Sequence, residues 1–316
     1  MGLFHERIMN KTSPILISGA TGLVGKSLVS RLRRDYPGQE IRVLTRRPNS
    51  LGEEAGSLFK TFHWEPDSGE LDASALEDVS TIVHLAGEPV AQRWTARVKR
   101  RIQSSRIDGL HLLRQACLQH GHRPRVVSAS AIGYYAPGDG MRDERSGCGD
   151  GFLANVVRDW EKAAVDLGDL GGGHAIVRIG LVLSDRGGAL APLLPLYRFG
   201  LGAPLASGLQ WQSWIHIEDL SRLLVDIIHD RALSGVFNGV APNPVVQREF
   251  SQCLASALGR PHFLPHVPAW ALRLRFGRAA DALLASHRIA SIRLEEIGFQ
   301  FDYPTLRQSF GALFPK

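Results

Sequence analysis

A strand, a glycine loop and a helix in immediate succession near the N-terminus limit the fold more than any other feature of the chain. Residues 14–18 form a short apolar run, and apolar residues recur at helical spacing within residues 26–34. Between them lie Gly19, Gly22 and Gly25. Backbone N–H groups and the positive end of the helix face outward from such a turn, so this order predicts a loop that holds a pyrophosphate.

Each glycine of this loop has a distinct expected role. Gly19 allows the tight turn, Gly22 the close approach of phosphate groups, and Gly25 the close packing of the helix on the strand. The alternative is a cluster of turn glycines that holds no ligand. The position between an apolar run and a helical pattern favours a dinucleotide-binding loop.

The first half of the chain goes on to alternate between apolar runs and helical patterns. Strands are predicted over residues 41–45, 80–85, 125–130 and 174–179, and a long helical pattern over 102–117 separates the strand at 80–85 from the strand at 125–130. Parallel strands need crossovers long enough to hold a helix. The alternation therefore predicts an α/β Rossmann fold with a doubly wound parallel sheet.

The texture of the sequence changes after Leu183. Glycine- and proline-rich stretches follow, then a helical pattern over 218–228, and the final third from Gln247 is largely helical by pattern. These features predict a smaller, mostly helical C-terminal lobe. The predicted division is a disordered leader at 1–13, a Rossmann domain at 14–183 to which the chain returns at about 214–240, and a substrate lobe at 184–213 and 241–316.

The end of the second predicted strand indicates which dinucleotide binds. An acidic residue there would accept hydrogen bonds from the ribose hydroxyls of NAD, whereas this chain has Thr45, Arg46 and Arg47. Guanidinium groups bind a 2′-phosphate through charge-assisted, often bidentate hydrogen bonds, and a carboxylate would repel it. The sequence therefore favours NADP(H) over NAD(H), with a pair of solvated surface arginines as the alternative.

Composition and charge bound the other classes of function. The 316 residues are 44% hydrophobic and 22% charged, which is typical of a globular protein, and no apolar stretch approaches a membrane span of about 18 residues. The net charge is +6, but the basic run at 97–101 lacks interleaved aromatic residues. A small-molecule partner is expected, and neither nucleic acid nor a membrane is.

The N-terminus and the cysteines give two further expectations. Residues 1–12 lack the apolar core and cleavage site of a secretory signal, so a cytoplasmic location is expected. Cys117, Cys148 and Cys253 form no CxxC pair, so they are expected to be structural, and no metal site is predicted.

Longer motifs add a family resemblance. The glycine spacing is followed by His-Leu-Ala-Gly-Glu at 84–88, Ser-Ala-Ser-Ala-Ile-Gly-Tyr-Tyr at 128–135 and Trp-Ile-His-Ile-Glu-Asp-Leu at 214–220. Together they resemble the extended short-chain dehydrogenase/reductases. Shorter segments narrow the resemblance to the atypical "epimerase family" branch, whose members are labelled sugar-nucleotide epimerases or cell-division inhibitors; these segments lie at 62–66, 93–95, 105–106, 159–163, 237–242 and 294–301.

The resemblance extends from about residue 14 to 314 and implies a set of cofactor contacts at matching positions. For Arg106 and Val182 a packing or surface role is the alternative. The implied contacts are Thr21, Gly22, Leu23 and Val24 on the pyrophosphate, Thr45 and Arg46 on the 2′-phosphate, Leu85, Ala86 and Gly87 beneath the adenosine and its ribose, Arg106 toward the phosphates, and Val182 beside the nicotinamide carboxamide.

The catalytic residues of the resembled enzymes are only partly present. Those enzymes exchange a proton through a Tyr assisted by a Lys four residues later, while a Ser orients the substrate oxygen. Ser130 stands at the expected strand end, but residues 151–161 contain no Tyr, and the nearest Lys is Lys162. Tyr134 and Tyr135 follow Ser130 and offer a phenol, or else a structural or substrate-binding role.

A further polar segment lies at 207–216 and is interpreted in two ways. Gln210, Gln212 and His216 stand near aromatic residues, which is a common composition of a small-ligand site. The alternative, which the sequence favours for His216, is a hydrogen-bonded histidine in the core.

Three hypotheses about function follow. The leading one is an NADP(H)-dependent oxidoreductase or epimerase-like enzyme that acts on a small carbonyl or hydroxyl compound or a nucleotide-linked sugar, with Ser130 and Tyr134 or Tyr135 handling the proton. The second is a non-catalytic NADPH-binding sensor or structural protein. The third, an NAD-dependent sugar epimerase, predicts little effect from Arg46→Ala.

Overall fold

The computed structural model describes residues 13–48 and 59–315. The strands are β1 (Ile15–Ser18), β2 (Ile41–Thr45), β3 (Lys60–Glu65), β4 (Glu70–Leu71), β5 (Thr81–His84), β6 (Arg125–Ala131), β7 (Gly138–Arg142), β8 (His174–Ile179), β9 (Leu181–Leu183), β10 (Trp211–Gln212), β11 (Trp214–His216), β12 (Gly235–Gly239), β13 (Val245–Val246) and β14 (His287–Ile289). The α-helices are α1 (Leu23–Asp35), α2 (Ala96–His120), α3 (Phe152–Gly168), α4 (Leu194–Arg198), α5 (Ile217–His229), α6 (Gln247–Ala257), α7 (Ala269–Phe276), α8 (Ala280–Leu284), α9 (Ile292–Glu296) and α10 (Leu306–Leu313).

An eight-stranded sheet organises the fold. Its order is β12-β8-β6-β5-β1-β2-β3-β4, and every neighbouring pair is parallel except β3 and β4. The strand order reverses beside β1, because β2 lies on one side of it and β5 on the other. The predicted doubly wound Rossmann sheet is confirmed, and its reversal point is where such sheets bind ligands.

Helices cover both faces of the sheet. Apolar residues of α1 and α5 pack on one face, and apolar residues of α2 and α3 pack on the other. Strand β3 was not predicted, since only Trp64 among its residues is buried and the strand lacks a continuous apolar run. The five predicted strands of the central sheet are confirmed, with ends that differ by at most one residue, and the long helix is confirmed but begins six residues before the predicted position 102.

From Gln247 onward the described chain is largely helical as predicted, with one strand as the exception. Helices α4, α6 and α10 share a third apolar cluster. The exception is β14, which pairs with β7 from the first half of the chain. The strands of the main sheet come from residues 15–179 and 235–239. The predicted domain limits stay predictions. The predicted leader, apart from Ser13, lies outside the described residues. No helix within 13–48 and 59–315 is both long and apolar enough to cross a bilayer.

Candidate functional site

The glycine loop lies directly against the loop that follows β5. Gly19 has a φ of +76°, and a Cβ at this position would stand 2.6 Å from the backbone nitrogen of Ala86 and from the carbonyl carbon of Leu85. Only glycine combines that conformation with that contact. The reversal of strand order therefore brings the two loops, 19–25 and 85–87, to one crevice at the carboxyl ends of β1 and β5.

The first turn of α1 presents free backbone donors to this crevice. Gly22 is the N-cap, no side chain caps the helix, and its first turn carries no acidic residue. Thr21 and Gly22 are exposed, and Leu23 and Val24 are half-buried. Uncapped N–H groups at a helix N-terminus bind anions. The arrangement fits the pyrophosphate contact that the resemblance implies for residues 21–24.

Gly25 lets α1 begin so close to the strand. A Cβ on Gly25 would stand 2.2 Å from the carbonyl oxygen of Gly19 and 2.6 Å from Cα of Ala20. Both are backbone atoms, which cannot move aside as a flexible side chain can. The predicted packing role of Gly25 is therefore seen directly.

Arg106 brings a buried positive charge to the same crevice. A Cβ on Gly87 would stand 3.0 Å from Cζ of Arg106, so the guanidinium lies against the loop after β5. It donates to the carbonyl of Ile102 at 2.9 Å, and no carboxylate of the described residues lies within ion-pair distance. Burial lowers the pKa of Arg106 to about 10, although attraction from Glu88 raises it. The guanidinium therefore lacks an anionic partner, and a bound phosphate would supply one.

His84 holds Arg106 and the end of β1 together. Its Nδ1 lies 2.8 Å from Oγ of Ser18, and its Nε2 lies 3.2 Å from the carbonyl oxygen of Arg106. The carbonyl can only accept, so Nε2 carries the hydrogen and Nδ1 accepts from Ser18. Burial, against the hydrogen bond to the Arg106 carbonyl and together with the charge of Arg106, lowers the pKa of His84 to about 4.

We expect His84 to make the folded chain sensitive to acid. Its pKa is about 4 when folded, against 6.5 for an ordinary histidine. Below pH 6.5 the unfolded chain binds a proton that the folded chain excludes, so stability is complete above that pH and falls toward pH 4, by about 3 kcal/mol. Urea denaturation near pH 7.5 and pH 4.5 measures the difference.

The matched variants for this measurement are His84→Gln and His120→Gln. Glutamine can keep both hydrogen bonds but does not titrate, so His84→Gln should lose most of the His84 contribution. His120 is exposed in the last turn of α2, and its replacement should change nothing. An unchanged pH dependence in His84→Gln would show that the buried histidine is not responsible.

The residues predicted to choose the cofactor stand at the end of β2. Thr45 is half-buried, Arg46 and Arg47 are exposed, and the backbone N–H of Arg47 donates to Oγ1 of Thr45 at 3.2 Å. Among the described residues no carboxylate pairs with Arg46. Because β2 neighbours β1 in parallel, these residues lie at the same sheet edge as the glycine loop.

Val182 lies near the start of α1. It belongs to β9, which pairs with β11, and it packs with the apolar cluster beneath α1. A Cβ on Gly188, in the loop after β9, would stand 2.8 Å from Cδ2 of Leu23 and 3.8 Å from the carbonyl oxygen of Val182. The loop after β9 thus contacts the start of α1.

Ser130 begins a buried polar network at the end of β6. Its hydroxyl lies 2.5 Å from Oε1 of Glu161 on α3, and Arg178 on β8 binds both oxygens of Glu161 at 2.8 Å. The side chains of Arg178 and Glu161 are 5% and 10% exposed. Burial opposes the charge of Arg178, but hydrogen bonds and attraction to Glu161 outweigh it and raise its pKa.

The two tyrosines after Ser130 have different surroundings. The hydroxyl of Tyr135 accepts from Arg178 at 2.8 Å and donates to Oδ1 of Asn238 at 2.7 Å, and the side chain is fully buried. Burial raises the pKa of Tyr135 against the attraction of Arg178. Tyr134 is half-buried with its ring centre 3.4 Å from Cζ of Arg178, and its hydroxyl has no hydrogen-bond partner among the described residues. The hydroxyl of Tyr135 is therefore occupied within the network, and the roles expected for the two phenols stay predictions.

The one lysine on α3 does not replace the missing catalytic Lys. Lys162 is exposed and pairs with Asp166 one turn later, at 3.0 Å. The preceding residue, Glu161, faces the buried network, whereas Lys162 is exposed to solvent. The gap in the predicted catalytic set is therefore real in three dimensions as well as in the sequence.

In the segment at 207–216, His216 and Gln210 make hydrogen bonds within the fold. His216 is the N-cap of α5, its Nδ1 accepts from the backbone N–H of Glu218 at 3.1 Å, and its ring stacks on Tyr303. Burial lowers the pKa of His216. Gln210 is buried and donates to the carbonyl of Leu205, and Gln212 is half-buried in β10. The hydrogen-bonded core histidine is the interpretation that the geometry supports.

The cysteines and one polar cleft have no part in the candidate site as described. Cys117, Cys148 and Cys253 are free thiols, and burial raises the pKa of Cys117 to about 11. Within the described ranges no three metal-ligating side chains come together. A polar cleft of 330 Å³ lies along the free edge of β12, where Glu144 and Arg293 bind the strand's exposed backbone groups.

Sequence reasoning missed Glu161, Arg178 and Asn238. A signal was available, because Arg178 interrupts an apolar strand and Glu161 falls among small and apolar residues on the buried side of α3. Charged residues at such positions are almost never buried unless paired. A search for oppositely charged residues at core positions would have found the pair.

Comparison with known proteins places the chain in a family. Residues 15–151 match the family model described as "NAD dependent epimerase/dehydratase family", and residues 267–313 match a domain of unknown function, DUF1731. The "Epimerase family protein SDR39U1 homolog, chloroplastic" of Arabidopsis thaliana is 38% identical, over 95% of this chain and 86% of the relative. The chain belongs to the epimerase family. Since that relative is named chloroplastic, the cytoplasmic location stays a prediction.

Solved structures of this family share the fold. Human epimerase family protein SDR39U1, crystallised with NADPH, superposes with a TM-score of 0.83 at 32% identity, covering 95% of this chain and 98% of that chain. The nucleoside-diphosphate sugar epimerase from Corynebacterium glutamicum gives a TM-score of 0.75 at 30% identity, covering 96% of this chain and 58% of that chain. The resemblance inferred from the motifs is confirmed.

Proposed function

We propose that this epimerase family member binds NADP(H) in the crevice between the glycine loop and the loop after β5. The observation that carries the proposal is the coincidence, at one sheet edge, of an uncapped helix N-terminus with the cations Arg106 and Arg46, neither of which has a carboxylate partner among the described residues. The three phosphate groups of NADP(H) would accept hydrogen bonds from these donors. The human relative crystallised with NADPH supports the same assignment.

Different residues of the crevice would bind different parts of the cofactor. Backbone donors at 21–24 would hold the pyrophosphate with Arg106, and Thr45, Arg46 and Arg47 would hold the 2′-phosphate. Residues 85–87 would lie beneath the adenosine and its ribose, and Val182 beside the carboxamide. When bound, the cofactor supplies hydride transfer at its nicotinamide.

For the chemistry we propose an oxidoreductase or epimerase-like reaction on a small hydroxyl or carbonyl compound. Ser130 would bind the reacting oxygen, and Tyr134 would handle the proton because its hydroxyl is the free one of the pair. A nucleotide-linked sugar is the proposed substrate class. Its support is the name of the Corynebacterium glutamicum relative, a nucleoside-diphosphate sugar epimerase.

The second candidate function is an NADPH-binding protein without turnover. It is favoured by one observation: α3 contains no tyrosine, and its only lysine is exposed and paired with Asp166. A substrate panel followed by absorbance of the reduced nicotinamide separates the two functions. Turnover that disappears in Ser130→Ala would exclude the sensor, whereas binding without turnover across the panel would favour it.

We expect Arg46→Ala to weaken NADPH binding by about 10- to 100-fold and to leave NADH binding unchanged. The arginine would donate charge-assisted hydrogen bonds to a phosphate that NADH lacks, and bonds of that type contribute about 1.5 to 3 kcal/mol. Fluorescence titration at fixed salt measures both affinities.

The control for this titration is Arg33→Ala, in the exposed last turn of α1 at the far end from the glycine loop. It removes the same charge from the protein and should change neither affinity. No loss of affinity for either dinucleotide in Arg46→Ala would instead support the NAD-dependent epimerase hypothesis, and equal loss of both would show that Arg46 does not act through the 2′-phosphate.

A further inference from the structure

The hydrogen bonds between Glu161 and Arg178, a buried pair, determine which of the two groups carries the hydrogens. Arg178 donates from Nε and Nη2 to the two oxygens of Glu161, each at 2.8 Å, and from Nη1 to Tyr135 at 2.8 Å. A guanidinium is always charged and cannot accept. The carboxylate that faces it in this bidentate arrangement is ionised and has no hydrogen to give.

This arrangement fixes the hydrogen of Ser130. Its Oγ lies 2.5 Å from Oε1 of Glu161, and one of the two atoms must supply the hydrogen between them. Since Glu161 is ionised, Ser130 is the donor. A serine hydroxyl has one hydrogen and two lone pairs, so only the lone pairs of Ser130 stay available to a ligand.

The hydroxyl of Tyr135 and the amide of Asn238 have partners of their own. The hydroxyl of Tyr135 donates its hydrogen to Asn238, and the side-chain amide of Asn238 donates to the carbonyl of Ala290. Ser130 stands at the carboxyl end of β6, beside the strand whose following loop lines the crevice. Ser130 is 3% exposed, and its lone pairs lack a donor among the described residues, at the end of the sheet where such folds bind ligands.

We infer that Glu161, held in place by Arg178, is a positioning residue that makes Ser130 a hydrogen-bond acceptor toward the substrate. The ligand group that binds Ser130 must then bring its own hydrogen, as an alcohol hydroxyl or a protonated amine does and a carbonyl does not. The inference rests on the proposed substrate site, and it narrows the substrate class there to the hydroxyl form of the compound.

Neutron diffraction from crystals of the full chain with NADPH tests the position of the hydrogen. We expect deuterium on Oγ of Ser130, directed at Oε1 of Glu161. Deuterium on Glu161, or on Ser130 but directed into the crevice, would overturn the inference. This readout does not depend on the identity of the substrate or on turnover.

A matched pair of probes tests the consequence for ligands. Cyclohexanol and cyclohexanone have similar shapes, but only the alcohol has a hydrogen to donate. In the NADPH complex, ligand-observed NMR should show cyclohexanol binding about fivefold more tightly, the equivalent of one net hydrogen bond. Equal binding, tighter binding of the ketone, or binding of neither probe would overturn the inference, whereas a chain that fails to bind NADPH would instead refute the proposed function.

Two variants separate positioning from folding. Ser130→Ala should abolish the preference for the alcohol. The double variant Glu161→Leu with Arg178→Met removes the buried charges together, a replacement that is often neutral for stability. Its Ser130 hydroxyl is free to donate, so the ketone should bind as well as the alcohol or better. A preference for the alcohol that persists in the double variant would show that Glu161 does not position Ser130.

Discussion

Gly25→Ala should cost the protein its NADPH affinity, by at least about 100-fold, together with about 1 to 3 kcal/mol of unfolding free energy. The new methyl carbon would stand 2.2 Å from the carbonyl oxygen of Gly19, closer than any real contact. Relief requires α1 to move away from the glycine loop, and the first-turn N–H groups move with it. Overpacking of this size destabilises proteins by the stated amount, and displaced donors no longer meet a phosphate.

The control for this variant is Gly311→Ala. Gly311 also lies within a helix, α10, but a Cβ there would meet no atom within 4 Å. Alanine is the better helix former by about 1 kcal/mol, so Gly311→Ala should be neutral or stabilising and should bind NADPH normally. Calorimetric titration and urea denaturation of both variants measure the effects. Normal NADPH affinity in Gly25→Ala would contradict the assigned role of the loop.

Glu161→Ala should lower the free energy of unfolding by about 3 to 5 kcal/mol. The substitution leaves the guanidinium of Arg178, whose side chain is 5% exposed, with Tyr135 as its remaining hydrogen-bond partner. An uncompensated buried charge is costly because the protein interior solvates it poorly. Urea denaturation followed by circular dichroism measures the loss.

Lys162→Ala is the matched control one residue away. Its side chain is 73% exposed, and its pair with Asp166 is a surface ion pair on one helix. Such pairs contribute little, so the loss should stay below about 0.5 kcal/mol. Similar losses from the two substitutions would mean that the Glu161 pair is solvated in solution and not buried.

Much of the fold was predictable because its signals are local. The strands at 41–45 and 174–179 are apolar runs, and the glycine loop stands between a strand and a helix whose patterns are each complete within a few residues. Strand β3 was not predictable in this way. It lies near the edge of the sheet, and its burial depends on partners elsewhere in the chain.

The cofactor residues and the surroundings of Ser130 also differ in how far local sequence patterns predict them. The cofactor residues follow one another at strand ends, and the topology of a parallel sheet brings strand ends together. The surroundings of Ser130 come instead from separate elements, with Glu161 on α3, Arg178 on β8 and Asn238 on β12. No spacing along the chain encodes that arrangement, so the sequence did not show that Tyr135 is committed and Tyr134 is not.

Titration of the unmodified full chain with NADPH and NADH, at one fixed salt concentration, tests the central proposal most directly. The uncapped start of α1, Arg106 and Arg46 should together hold NADPH at a ratio of one per chain. We expect its affinity to exceed that of NADH by at least about 10-fold, because one charge-assisted phosphate contact contributes that much. Absence of saturable NADPH binding, or equal affinity for the two dinucleotides, would contradict the assignment of this crevice to NADP(H).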